Sequence, residues 1–338
     1  MRCVCLTLLA CLALVHTGCG FFADREEALD GYVEELAAAM DEPVNLSSIP
    51  TVENLPRRRE RILEVAEIDM GVVDFLSLYG CELQVVVGER TSIMGRVMDA
   101  GKRLDYEIRF LGAAEDCLPD MDSERRRNAV KEAIEMKAEK LPNTLWNSVW
   151  AAEEMERLTS RSRGTLPEAE LTEEFSRLAA DLVAMNTLIA NYEPGELPPQ
   201  LERLSGIYQR WQQQALVGQL LRSAEAIQAR LNDAAAVMET VTAESAICDE
   251  KALWALYESN FLESVEPRLR QVQQHRRLVI PLLYELTRSP GAEVPEGMTP
   301  FIERNLEQSG DDSVWRDLDD AVARHGEAWT RAFSACSS

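Results

Sequence analysis

Over most of the chain after residue 22, apolar side chains recur at intervals of three and four, and no stretch alternates apolar with polar residues for long enough to demand a sheet. That spacing lines apolar groups along one face of a helix. The expected fold is therefore mainly α: a bundle of long helices with a smaller, disulfide-braced N-terminal helical subdomain. Residues 23–40 carry Leu29, Tyr32, Val33, Leu36 and Met40 on one stripe. Pro43, Pro50 and Pro56 then disfavour helix over 42–56, which reads as an extended connector. Residues 70–87 are apolar on nearly all sides, as in a buried helix broken near Gly80, although the short Leu83 to Val87 run is also compatible with a strand.

Further helices are expected at 104–114, at 123–140 with Asp122 or Ser123 as cap and Ala129, Val130, Ala133 and Ile134 inward, and at 143–159 with Trp146, Val149 and Trp150 on one stripe. The polar stretch 160–167, with Gly164 and Pro167, is the expected boundary between an N-terminal helical subdomain, 19–160, and a C-terminal helical bundle, 168–338. Long helices at 168–191 and 201–245 are separated by Pro194-Gly195 and Pro198-Pro199. Residues 249–288 are helical by period, with kinks expected at Pro267 and Pro281 unless they fall at breaks. A loop at 289–300 and helices at 299–307 and 313–333 close the chain. Trp211, Trp254, Trp315 and Trp329 each lie in an apolar helical stripe and read as core; Trp146 and Trp150, four apart, read as core more readily than as a sugar-stacking platform.

The balance of charge narrows the function. Asp and Glu number 58 against 35 Lys and Arg, for a net charge of −23. Such a surface repels phosphate backbones and anionic head groups, which argues against nucleic-acid binding and against a polybasic membrane sensor. With 46% apolar residues the chain is globular rather than disordered.

Residues 1–18 read as an export signal: Arg2 as charged start, an apolar run of 12 residues from Val4 to Val15, then Thr17 and Gly18 before Cys19. The run is too short for a permanent anchor, which needs about 20 apolar residues. Val15-His16-Thr17-Gly18-Cys19 resembles the lipobox of bacterial lipoproteins, with His16 where such signals usually carry Leu. The resemblance implies cleavage before Cys19, acylation of its thiol and attachment to the membrane through that lipid. Gly20, rather than Asp, is compatible with transfer to the outer membrane, facing the periplasm. An acyl anchor of tens of methylenes at about 0.8 kcal/mol each holds firmly. Removing the leader takes away Arg2 and no acid, so the charge moves from −23 to −24. Cys3, Cys5 and Cys11 leave with it, and beyond Cys19 remain Cys81, Cys117, Cys248 and Cys336. An even count in an oxidising compartment suggests two disulfides. Three pairings are available and sequence alone does not choose, but loop closure favours Cys81 with Cys117 and Cys248 with Cys336.

Motifs that would carry catalysis are not found. Neither His275 nor His325 has Glu three positions before it, the mature chain holds no Cys-x-x-Cys, and there is no Gly-x-Ser-x-Gly elbow or phosphate loop. No catalytic residue, metal or cofactor is expected. Asp311, Asp312, Asp317, Asp319 and Asp320 lack calcium-loop spacing and read as a solvated acidic face. One region interleaves charge with apolar residues: Glu89, Arg90 and Arg96, followed by Arg103, Tyr106, Glu107 and Arg109. Arg103 and Glu107 are four apart and can pair on a helix. The set fits a semi-buried ion network. Its sharper reading is a pocket in which Arg96 or Arg109 clamps an anionic group, Tyr106 stacks or donates, and Glu89 or Glu107 serves as acid or base.

The residues around that region, Gly71-Val72-Val73-Asp74-Phe75-Leu76, Tyr79-Gly80-Cys81-Glu82-Leu83, Met94-Gly95-Arg96-Val97-Met98, Arg103-Leu104-Asp105-Tyr106-Glu107-Ile108-Arg109-Phe110 and Leu141-Pro142-Asn143-Thr144-Leu145-Trp146-Asn147, resemble a bacterial lipoprotein family labelled domain of unknown function 3080. The resemblance implies an exported, lipid-anchored protein, treats Cys81 and Cys117 as a unit, and transfers no catalytic residue. The function expected is a non-enzymatic scaffold or binding protein of the envelope whose acidic face and helical grooves meet an envelope protein partner. The alternative is a ligand-binding or hydrolytic protein acting on an anionic wall or lipid fragment. Apolar helix faces leave self-association open.

Overall fold

Helix α1, Gly20–Ala39, buries the stripe expected of it: Leu29, Tyr32, Val33 and Leu36 are all essentially inaccessible. The computed structural model describes residues 20–50, 53–66, 80–91, 98–192, 198, 200–242, 245 and 247–336. The export signal, Cys19, Arg96 and residues 70–79 of the expected buried helix lie outside them. Among the described residues there is no strand, and Leu83 to Val87 is helical within α2, Glu82–Thr91. No described helix is long and apolar enough to cross a membrane.

Helix α3, Ala100–Cys117, starts on a side-chain cap, with Asp99 accepting from the Lys102 N–H at 2.8 Å. The separate helices expected at 123–140 and 143–159 are one helix, α4, Glu124–Trp150, which runs through Pro142, followed by a short α5, Glu153–Leu158. A proline inside a helix costs about 3 kcal/mol. Here Leu141, Leu145, Trp146, Val149 and Trp150 are buried on both sides of it, which outweighs that cost. Its ring also meets Gly291, where a Cβ would stand 3.1 Å from Pro142 Cγ. Ala129, expected inward, faces solvent on α4, whereas Val130 and Ala133 are buried.

Helix α6 spans Thr172–Asn191. The single helix expected over 201–245 is broken: α7, Leu204–Gln213, ends where Gln214 turns extended, and α8 begins at Leu216 and runs to Met238. Both halves bury an apolar stripe at helical spacing, so the period does not reveal the break. Helix α8 is buried on almost every side and packs against α1, α12 (Val314–Cys336) and α10 (Glu266–Leu286). Gly218 is needed there because a Cβ would run into the carbonyl groups of Thr159 and Ser160. Between α9, Glu250–Leu256, and α10 the chain forms a π-helical segment, Tyr257–Val265, and Pro267 falls in the first turn of α10 while Pro281 lies inside it. The wider turns close just before Pro267, whose missing N–H would otherwise have interrupted the ladder. Helix α11 spans Thr299–Asn305.

One large core takes in Trp146, Trp150 and Leu158 from before the 160–167 stretch, Leu166 from within it, and Phe175, Leu220, Trp315 and Trp329 from after it. That polar stretch is thus no spacer between separate cores: the Leu166 N–H donates to Ser223 Oγ of α8 at 2.8 Å. A second, small core of Leu83, Val86, Val87, Tyr106, Phe110 and Val130 lies beneath the Cys81–Cys117 disulfide. The other disulfide, Cys248–Cys336, ties the chain before α9 to the end of α12. Both are the pairs favoured by loop closure. Of the tryptophans expected in the core, Trp254 is the exception, 53% exposed, and its ring leans on Tyr257 and Phe333.

Two buried ionisable groups outside the expected site set opposing pH dependences. The Tyr32 hydroxyl lies 2.5 Å from His325 Nε2, and the Trp329 indole N–H donates to the same nitrogen at 3.1 Å. Burial pushes His325 down to about 4, so the ring is neutral and Nε2 accepts. Glu225, 1% exposed, lies 3.3 Å from Arg161, yet neither of its oxygens receives a hydrogen bond, and burial pushes it up to about 7. His325 therefore contributes stability above its unfolded pKa, lost as pH falls from about 6.5 towards 4. Glu225 contributes in the opposite sense, losing stability as pH rises from about 4.5 to 7. Each effect is worth about 3 kcal/mol at full extent, and over this range they offset one another. Urea unfolding across pH 4 to 7 should show Glu225→Gln gaining stability with rising pH relative to the parent, and His325→Gln losing it. Parallel profiles for parent and variants would contradict this assignment.

Candidate functional site

The charged residues singled out from sequence sort into two groups on opposite faces of α3. Glu107 points inward, 3% exposed, and its carboxylate accepts from Arg103 Nε at 2.6 Å and from Lys137 Nζ of α4. Arg103 also donates to the carbonyl of Ala66 at 2.7 Å. The Lys137 ammonium lies over the rings of Tyr106 and Phe110, 4.9 and 4.7 Å from their centroids. Burial lowers the Lys137 pKa against the pull of Glu107, and burial pushes the Tyr106 phenol up to about 12. On the outer face Arg109 grips Glu89 of α2 through two bonds, 2.7 and 3.3 Å, and reaches Asp105 at 3.6 Å; the Glu89 carboxylate holds the guanidinium above its ordinary range.

Sequence spacing pointed to the Arg103–Glu107 pair. The structure adds the Glu89–Arg109 pair between two helices and separates Tyr106, which faces the small core, from Arg109. Arg90 and Arg103 join Arg58 around a cleft of about 210 Å³ that does not include Arg109 or Glu107. Lys137 was missed, yet its signal is present: it stands three and four residues beyond Ile134 and Ala133 and seven beyond Val130, a charge on an otherwise apolar stripe.

Trp146 and Trp150 are fully buried, with indole N–H groups donating to the Arg61 carbonyl at 2.8 Å and the Leu286 carbonyl at 3.0 Å, so they form core and not a platform. The acidic run near α12 is laced with arginine rather than merely solvated: Arg276 holds Asp319 at 2.8 Å, Arg304 holds Asp317 at 2.5 Å, and Arg316 holds Asp311.

A cavity that spacing alone did not indicate opens between α1, the residues leading into α6, the π-helical segment and the start of α10, with a volume of about 670 Å³. Its lining includes three buried polar side chains, Tyr32, Asn260 and His275. The His275 ring stacks on Phe175, centroids 3.8 Å apart, and its Nδ1 is buried with no hydrogen-bond partner. Burial lowers its pKa, so the ring is neutral near pH 7. Asn260 Oδ1 accepts from Ser259 Oγ at 3.0 Å, while its amide nitrogen has no partner among the described residues. At the rim, Glu168 pairs with Arg268, and Arg270 donates to Glu266 at 3.0 Å. Glu35, Glu170 and Glu263 also line the cavity, exposed and with no cationic partner among the described residues.

No curated protein and no solved structure matches this chain. A family profile described as protein of unknown function (DUF3080) matches residues 29–338, from the first buried leucine of α1 to the last residue. The chain with this two-disulfide helical fold therefore belongs to the DUF3080 family.

Proposed function

We propose that the chain is a lipid-anchored protein of the bacterial cell envelope, attached through Cys19 and facing the periplasm from the outer membrane, and that it works as a non-enzymatic scaffold or binding protein. The observation that carries this reading is the pairing of Cys81 with Cys117 and Cys248 with Cys336. The four cysteines after Cys19 use one another up, the pattern of a chain that folds in an oxidising compartment, which leaves none of them to pair with Cys19. The engagement of Glu107 by Arg103 and Lys137, and of Arg109 by Glu89, supports bracing by the N-terminal network rather than catalysis there. The binding surface is then the acidic exterior and the cavity beside α1. A second reading, capture or hydrolysis of an anionic wall or lipid fragment, is favoured by one observation, the convergence of Arg58, Arg90 and Arg103 on the small cleft.

Mass spectrometry of the protein made in a bacterium and recovered from its membranes tests the anchor. The expected N-terminal peptide begins at Cys19 and carries diacylglyceryl and acyl mass, and Cys19→Ser abolishes that species. A product that keeps Met1, or one cut elsewhere with an unmodified Cys19, would overturn the reading.

A further inference from the structure

The turn between α5 and α6 holds a guanidinium with two competing sets of acceptors. Arg161 stands in the 3-10 turn Arg161–Arg163. Its Nη1 donates to the Glu53 carbonyl at 3.1 Å and to Asn54 Oδ1 at 3.0 Å, while Nη2 donates to Asn305 Oδ1 of α11 at 2.7 Å. Asn305 Nδ2 donates to the same Glu53 carbonyl at 2.9 Å. Arg161 thereby fastens residues 53 and 54 of the connector to α11, and every acceptor it uses is neutral. On its other side lies Glu225 of α8, 1% exposed and 3.3 Å from Nη2, with neither oxygen in a hydrogen bond. The Arg161 Nε is likewise buried and unbonded.

A carboxylate beside a guanidinium gains most from the two parallel bonds of the fork. Here the fork is turned away, as suits a carboxyl that carries no charge. The surrounding groups single out this contact. Arg222, 4.0 Å from Glu225 on the same helix, donates to Glu26 of α1 at 2.8 and 3.0 Å. Arg304 of α11 donates to Asp317 of α12 at 2.5 Å and to the Asp312 carbonyl at 2.7 Å. Each of those cations is hydrogen-bonded to a carboxylate, whereas Arg161 is not. Glu26 opposes ionisation of Glu225, the three arginines favour it, and Glu53 adds negative charge on the connector side of Arg161. Burial is the largest influence and pushes the Glu225 carboxyl up to about 7, so its charge changes near neutrality.

We propose that Glu225 and Arg161 form a pH-dependent latch on the connector. With Glu225 protonated, the guanidinium clamps residues 53 and 54 to α11; with Glu225 ionised, it turns to the carboxylate and lets them go. The proton leaves to solvent, and two charge-assisted bonds replace three bonds to neutral acceptors. The open arrangement stabilises the charged carboxylate, so it gains population as pH rises and loses it as pH falls. The latch depends neither on the acylation of Cys19 nor on a ligand in the cavity beside α1.

Glutamyl endopeptidase, which cuts after Glu, reads the latch in the full chain held in detergent. Its rate at the Glu53–Asn54 bond, divided at each pH by its rate on a free peptide of residues 48–58, is expected to rise about tenfold between pH 6 and pH 8, because cleavage follows the open fraction. Mass spectrometry of the fragments identifies the bond cut. Glu225→Gln keeps the shape and cannot ionise, so it should hold the low rate throughout. Arg161→Gln removes the clamp and should give the high rate at both pH values. Thermal melting shows that each variant is folded, and should Glu225→Gln fail to fold, the parent and Arg161→Gln still decide. A flat profile in the parent, a pH-dependent rise that persists in either variant, or a low rate in Arg161→Gln overturns the latch.

Discussion

Replacing Glu107 with Ala is expected to destabilise the fold by about 3–5 kcal/mol, the largest effect of any single charge in the N-terminal network. The reason is geometric. Lys137 is 3% exposed and has the Glu107 carboxylate as its anionic partner, with the rings of Tyr106 and Phe110 completing its surroundings. Deleting the carboxylate leaves that ammonium in the small core with cation–π contacts alone, worth about 2 kcal/mol when desolvated and insufficient to replace the counterion. Arg103 is less affected, because it keeps the Ala66 carbonyl and is 15% exposed. A double variant, Glu107→Met with Lys137→Met, removes both buried charges and retains volume, so it should recover most of the loss and lie within about 1 kcal/mol of the parent. Urea unfolding of the three proteins decides the matter. A single variant within about 1 kcal/mol of the parent would show that Lys137 finds water or another carboxylate, and the bracing role of Glu107 would have to be given up.

Loss of the Cys248–Cys336 disulfide is expected to cost about 4–5 kcal/mol, and loss of Cys81–Cys117 about 4 kcal/mol, by the loop-entropy relation. The links span 88 and 36 residues. Their difference of about 0.8 kcal/mol follows from the logarithm of that ratio. The structural consequences differ as well. The longer link pins the end of α12, whose other contacts with α8 are extensive, so Cys248→Ala/Cys336→Ala should leave a folded chain with α12 frayed at its C-terminus. The shorter link closes the small core of α2 and α3, which has fewer buried residues to fall back on, so Cys81→Ala/Cys117→Ala should release α2 locally before global unfolding. Unfolding midpoints together with amide hydrogen exchange would separate these outcomes. A larger global loss from the shorter link, with α2 still protected, would show that native-state strain or residual structure outweighs chain entropy.

The candidate site was legible in proportion to how local its contacts are. Arg103 and Glu107 sit on one helix at the spacing that brings side chains together, so their pairing follows from sequence. Glu89 and Arg109 also come from the region read as charge-rich, but their meeting depends on how α2 lies across α3. Lys137 was visible only as a charge on an apolar stripe, and naming its partner needed the packing of α4 on α3. The cavity beside α1 is less legible still. Glu35, Glu170 and Glu263 read as three ordinary surface acids, and nothing in the period of 249–288 distinguishes a π-helical turn from an α-helical one.

From sequence alone came the helical class, the stripe buried by α1 and the favoured cysteine pairs, because helical period and loop-closure entropy are properties of the chain itself. Tertiary structure alone decided that α4 continues through Pro142, that α7 and α8 part at Gln214, that Trp254 lies outside the core, and that residues of α1, the π-helical segment and α10 enclose a polar cavity. The physical reason is that a period of 3.6 residues specifies which face is apolar but not what that face meets. The burial gained on meeting it is large enough to override a proline, a break or an orphaned polar atom.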